Sequence, residues 1–146
     1  RTFEAAAFLR RCGADITRVR KMFRDDMESY QAKAEAVRMA EVYRKEYAIA
    51  QFPSDIDSPT VLAAQAANEL LDIRGIKASF VLTVYEGRIY LSARSIDEVN
   101  VQIIAERLGG GGHINSAGAQ FDHTNMYEAI QTLKQTIDQM IKEGDI

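Results

Sequence analysis

A single cysteine in 146 residues, Cys12, leaves no partner for an internal disulfide and fits a reducing compartment. Arg10 and Arg11 beside it would favour a thiolate, but a lone cysteine reads first as a small core or surface thiol. Proline occurs only at Pro53 and Pro59, within one loop, and neither proline nor glycine interrupts residues 14–52. No apolar run approaches the roughly 20 residues that span a bilayer, and no secretory signal pattern is present. His113 and His123 are the only histidines, ten residues apart with no cysteine near, a spacing that offers no metal cage. Basic charge is not in excess either: the net charge of −3 argues against a general nucleic-acid surface. It is unevenly spread, with eleven Lys/Arg against eight Asp/Glu in residues 1–48 and seven against thirteen in residues 49–146.

With 47% hydrophobic and 27% charged residues, the chain has an ordinary globular composition and length for one domain, or for a small domain with an appended piece. It opens on Arg1 inside an amphipathic pattern and is expected to be cut from a longer protein. Residues 2–12 read as a helix capped by Thr2 and stopped at Gly13, and Asp15 or Thr17 can cap a second through Ile16, Val19 and Met22. Met27, Tyr30, Ala34, Val37, Ala40, Tyr43 and Tyr47 then keep helical spacing, predicting one long helix over 24–46 that connects domains or forms a dimer arm. Strands are expected at 47–52, 77–85, 88–94 and 117–121, with Glu86-Gly87 as a hairpin turn. Between them fall a helix from Ser58 or Thr60 to Ile73 with Pro59 in its first turn, and a helix entered from Ser95 or Asp97 and ending at Leu108. A last amphipathic helix starts from Asp122 or Thr124 and carries Met126, Ala129, Ile130, Leu133, Ile137, Met140 and Ile141. The order from residue 47 is β-α-β-β-α-β-α, an α+β fold with a mixed sheet flanked by helices and preceded by the helical segment.

The most unusual stretch is Gly109-Gly110-Gly111-Gly112-His113-Ile114-Asn115, a glycine run followed by small residues. Four glycines suit neither helix nor strand, and they let backbone N–H groups approach a bound anion, while the alternative is a flexible hinge. Two other groups converge on the same end of the sheet. Arg94 could grip a phosphate bidentately or be a strand-end surface charge, and Ser95 adds a hydroxyl. Asn100 and Gln102 suit base or ribose edges, or capping. The constellation holds no nucleophile and base pair, so the residues describe a domain that binds a phosphorylated ligand without cleaving it.

Ala93-Arg94-Ser95, Val99-Asn100-Val101, the Gly-Gly-Gly-His motif at 110–113 and Ala117-Gly118 resemble the DHH-associated domain, with the likeness running over about 58–143. Arg1 to Arg10, Gly13-Ala14-Asp15 and Phe52-Pro53-Ser54-Asp55-Ile56-Asp57-Ser58-Pro59 are similar to one subgroup, the membrane-bound GGDEF/DHH-type cyclic-di-AMP phosphodiesterases. The resemblance implies three parts: 1–23 as the last helices of a truncated Asp-His-His catalytic domain, 24–46 as a connecting helix, and 47–146 as the substrate-binding domain. It implies a site of Arg94, Ser95, Asn100, Gly110, Gly111, Gly112, His113 and Asn115. The ligand would be a cyclic dinucleotide, converted by the parent from cyclic di-AMP to pApA, or a short linear one. Two Mn²⁺ would sit in the absent catalytic domain. No Asp-His-His motif occurs here, so no cofactor and no hydrolysis are expected of this chain alone. A homodimer, no large nucleic-acid surface, and a cytoplasmic location in a membrane-anchored bacterial parent complete the expectation. Other readings are an oligoribonuclease or nucleotide phosphatase of the same superfamily, and an RNA-binding module like the glycine-rich C-terminal domain of alanyl-tRNA synthetases. The net −6 of residues 49–146 weighs against the last.

Overall fold

Residues of both parities are apolar along the central strands, so the sheet must be covered on both sides. The computed structural model, which describes residues 2–13, 15–22, 24–96 and 99–146, shows how. Three helices come first: α1 (Thr2–Arg11), α2 (Ile16–Met22) and α3 (Met27–Arg38). Next are β1 (Glu41–Tyr43), β2 (Tyr47–Phe52), α4 (Pro59–Leu70), β3 (Ala78–Tyr85) and β4 (Arg88–Ser95). The chain ends with α5 (Val101–Arg107), β5 (Gly111–His113), β6 (Ser116–Phe121) and α6 (Met126–Glu143). The strands form one six-stranded sheet in the order β1-β2-β3-β4-β6-β5, parallel only between β2 and β3. The α+β class and the mixed sheet agree with the sequence reading.

Period-two alternation divides the sheet into two faces. Tyr47, Ile49, Phe80, Leu82, Leu91 and Ala93 point to one, where Val101 and Ile104 of α5 and Leu133, Ile137 and Met140 of α6 complete the larger core. Ala48, Ala50, Phe52 and Val81 point to the other, under Ala36 of α3 and the alanine-rich side of α4. Ala63, Ala66 and Ala67 are fully buried, which lets α4 lie close to the strands. Lys33 on α3 is buried too, bonded to Asp25 and to Gln65 (3.2 Å), with Glu69 at 3.5 Å, and so ties the segment before α3 to α4. Among the described residues no helix is long and apolar enough to cross a membrane.

The long helix expected over 24–46 is corrected. The helix stops at Arg38, and the chain turns back as a hairpin, β1 on β2, with Tyr43 opposite Tyr47. The turn uses Arg44 (φ 51°) and Lys45 (φ 68°) in the left-handed region, where the sequence offers no glycine or asparagine to announce it. Tertiary contacts override helix propensity here. Tyr47 is buried in the core, Tyr43 Oη donates to Asp138 on α6 (2.8 Å), Arg44 pairs with the same carboxylate, and Lys134 bonds Glu41 (2.9 Å). Two helix starts also move. Asp15 caps α2 as expected, but Asn100 caps α5 and Asn125 caps α6, in place of the hydroxyls and aspartates upstream. Ser58 precedes α4 in a left-handed conformation without a side-chain cap, and Asp97 lies outside the described residues.

The Asp138 carboxyl lies below its usual range: burial raises its pKa, and hydrogen bonds from Arg44 and Tyr43 outweigh that. A depressed folded pKa gives stability that is present above about pH 4 and lost as pH falls through the folded value. Thermal melts from about pH 6 down to about pH 2 should therefore show a shallower acid loss for Asp138→Asn than for wild type. Parallel curves would show that the hairpin tie contributes nothing to acid sensitivity.

Candidate functional site

The glycine run serves two purposes in sequence. Gly109 takes φ +86° after the C-cap Leu108, and its N–H donates to the Glu106 carbonyl (3.1 Å) while the Gly110 N–H donates to the Ala105 carbonyl (2.7 Å). This double closure is the Schellman ending of α5. The expectation that the glycines suit neither helix nor strand is corrected at the next residues, where Gly111-Gly112-His113 form the edge strand β5 against β6. A Cβ at Gly110 would lie 2.1 Å from the Gly118 carbonyl oxygen, and one at Gly112 (φ +149°) would lie 2.5 Å from Ala117 Cα. Only glycine lets these two backbones come so close. Gly111 differs: it has no positive φ, and its Cβ would meet nothing within 4 Å. Nothing inside the chain requires a glycine there.

Strand register then sets rows across the sheet. Arg94 stands opposite Ser116, and Ser116 opposite His113; Ser92 stands opposite Gly118, and Gly118 opposite Gly111. Adjacent strands lie about 4.8 Å apart, so each row spans about 10 Å. Both rows belong to the face of α4, because Arg94 is the partner of Ser79, whose hydroxyl donates to the Ala67 carbonyl of that helix (2.6 Å). The side chains on the rows are short except for Arg94 and the exposed His113. The Arg94 guanidinium is half-buried, and Nη1 donates to the Ala93 carbonyl (2.9 Å). Burial lowers its pKa, and among the described residues no carboxylate pairs with it. A partly desolvated guanidinium without a carboxylate partner among the described residues, two strands from a glycine-rich edge, suits an anion with several oxygens.

Neighbours in a strand point to opposite faces, so Ser95 cannot share the Arg94 face. It is buried on the other side, where Oγ donates to the Val99 carbonyl (2.6 Å) and accepts from Asn115 Nδ2 (3.0 Å). The Ser95 N–H donates to the Asn115 carbonyl (3.1 Å) and the Val101 N–H to that of Ile114 (2.9 Å). Ser95 and Asn115 thus hold the β5–β6 turn in place. Asn100 accepts the Ile103 N–H (3.2 Å) as the cap of α5, and Gln102 bonds Glu106 (3.1 Å) on the same helix. Of the site residues expected from sequence, Arg94, Gly111 and His113 come together on the open face. Gly110 and Gly112 shape the strand that carries them, and Ser95, Asn100 and Asn115 are committed to scaffolding bonds. Ser92, Ser116 and Gly118 were missed: counting alternate residues from Arg94 would have found Ser92, but Ser116 and Gly118 needed the β4–β6 register. Asp55 and Asp57 lie on the exposed loop before α4, and among the described residues no three His, Cys, Asp or Glu converge on a metal position.

The contrast between the glycines is testable. Gly112→Ala should cost more than about 2 kcal/mol in denaturant unfolding, as overpacking against backbone does, and Gly111→Ala should stay within about 0.5 kcal/mol of wild type. Equal costs would contradict the assignment of different duties to the two positions.

Comparison with known proteins gives the wider setting. The family model for the DHHA1 domain matches residues 45–143. The chain is 40% identical over 139 residues to the cyclic-di-AMP phosphodiesterase PdeA of Listeria monocytogenes, covering 94% of this chain and 21% of that protein. It is likewise 40% identical over 147 residues to the cyclic-di-AMP phosphodiesterase GdpP of Bacillus subtilis, covering 99% and 22%. It therefore spans about a fifth of the length of the curated relatives it matches. An exopolyphosphatase-related protein from Bacteroides fragilis superposes with a TM-score of 0.81 at 20% identity, over 95% of this chain and 43% of its own. A pGpG-specific phosphodiesterase from Vibrio superposes at 0.54 and 13%, over 76% and 39%. At those identities the two structures speak for the fold alone.

Proposed function

The chain belongs to the DHHA1 domain family, and from that premise we propose that it is the substrate-holding domain of a phosphodiesterase that opens cyclic di-AMP to pApA. Arg94 and His113 grip a substrate phosphate from the two ends of one row, and the Gly111 backbone approaches it from the neighbouring row. The observation that carries this reading is the half-buried Arg94, without a carboxylate partner among the described residues, aligned in register with His113 across Ser116 and beside a row of small residues. The relatives' names, cyclic-di-AMP phosphodiesterases, support the choice of ligand.

Hydrolysis belongs to another part of the parent. Among the described residues no three His, Cys, Asp or Glu side chains converge, and no step of attack on phosphorus is assigned to them. The two Mn²⁺ and the water they activate are placed in the Asp-His-His domain of the longer protein. Helices α1 and α2 are its last helices, packed on it through an apolar side on which Phe3 is 91% exposed and Met22 80% exposed here. Leu9, Ile16 and Val19 line an open hollow of about 490 Å³ between the two helices, consistent with such a mating surface. The parent is a membrane-anchored bacterial protein with this part in the cytoplasm.

Calorimetric titration with pApA, cyclic di-AMP and AMP tests the grip. Arg94→Gln, through the loss of one charge-assisted contact, and Gly111→Ala, by holding the phosphate off the strand, should each weaken pApA binding by at least about ten-fold, with melting temperatures not lowered. Wild-type affinity in both variants would contradict the proposed site. Separately, the chain incubated with cyclic di-AMP and Mn²⁺ should release no pApA above a His113→Ala control; clear turnover would place catalytic groups in this chain.

A further inference from the structure

We infer that Tyr90 is a base-stacking platform on the same face, so that the site takes a nucleoside 5′-phosphate unit, purine in preference to pyrimidine, over a bare phosphate or phosphosugar. This rests on the phosphate grip proposed above and extends it along the strand. Tyr90 lies four residues before Arg94 on β4 and so shares its face, opposite Thr83 on one side and Gln120 on the other. Three rows therefore run down the open part of the sheet: Arg94 with Ser116 and His113, Ser92 with Gly118 and Gly111, and Tyr90 with Gln120. Rows are about 6.8 Å apart along a strand. A phosphate over the glycine row, within reach of Arg94 and His113, leaves one such step for ribose and base to arrive at Tyr90.

The surroundings of Tyr90 agree with that use. The ring is partly exposed, and Tyr85 meets it edge-on, with centroids 6.0 Å apart and 62° between the planes, which fixes its orientation. Thr83 is buried and its hydroxyl donates to the Phe52 carbonyl (3.1 Å), so it does not compete for the platform. The row between grip and ring carries nothing larger than the hydroxymethyl of Ser92, so a flat ligand is not lifted off the sheet. Arg94 marks one end of the rows without an ion-pair partner among the described residues, whereas Arg88 at the Tyr90 end is paired with Asp122 (3.5 Å). Gln120 donates to Asp122 (3.1 Å), which leaves its amide oxygen as an acceptor for a base N–H. Purines offer the larger stacking area, hence the preference.

The test measures dissociation constants of the whole 146-residue chain for AMP, CMP and ribose 5-phosphate, in wild type, Tyr90→Phe, Tyr90→Leu and Arg94→Gln. Wild type and Tyr90→Phe should bind AMP about ten-fold more tightly than ribose 5-phosphate, with CMP between them, and should shift the adenine protons upfield through the ring current. Tyr90→Leu should lose the preference while keeping its affinity for ribose 5-phosphate, and Arg94→Gln should weaken all three ligands together. The inference is overturned if Tyr90→Leu keeps the AMP preference, or if the adenine protons stay unshifted in wild type and Tyr90→Phe. The second criterion holds even if the leucine variant does not fold. Binding that is Arg94-dependent but indifferent to Tyr90 removes this inference alone. No binding of any ligand, or no effect of Arg94→Gln, removes the phosphate grip and the inference with it.

Discussion

The close approach of two backbones at the sheet edge governs the rest of the structure. At Gly110 and Gly112 the strand lies so near β6 that no Cβ fits. That approach seats β5 in register, and register puts His113 in line with Ser116 and Arg94. It also begins where α5 must end, because Gly109 and Gly110 close the last turn of that helix with their own N–H groups. One run of four glycines therefore stops a helix, starts a strand and lays a bare surface beside a cation. Ser95 and Asn115 hold the far end of the arrangement from the opposite face.

The two faces of the sheet divide the work. One is filled by α5 and α6 and supplies most of the apolar burial. The other is covered by α3 over β2 and by α4 over β3 and part of β4, leaving the β6 and β5 portion under short side chains. Burial of Arg94 without a counter-charge is costly to the folded chain alone. Such a cost is sensible where a ligand offsets it, and functional sites are where it is expected to be found. A surface that holds without cleaving suits one domain of a larger phosphodiesterase, with the reacting groups brought by another.

Much of this was legible in the residues. The strands at 47–52 and 78–95, the alanine-rich helix, the Glu86-Gly87 hairpin and the C-terminal amphipathic helix follow from periodicity and turn chemistry. The hairpin at 41–52 was not legible, because Arg44 and Lys45 occupy left-handed positions that glycine or asparagine would have announced. Apolar spacing at Tyr43 and Tyr47 fits a helix as well as it fits a strand pair, and only contacts with Asp138 and the core decide between them. Arg94 and the glycine motif were found because their residue types are uncommon in those settings. Pairing Arg94 with Ser95 was avoidable, since strand parity alone separates them. Asn100 could not be assigned before its helix start was known: the same amide suits a base edge or an open N–H, and here it caps.

The central claim is that the ligand phosphate lies on the open α4-side face, over the Gly118–Gly111 row and within reach of Arg94 and His113. A co-crystal structure of the chain with pApA measures this most directly. The phosphate oxygens should lie within hydrogen-bond reach of the Arg94 guanidinium and the β5 strand. A phosphate bound on the α5–α6 side, or in the hollow between α1 and α2 with Arg94 uncontacted, would contradict it.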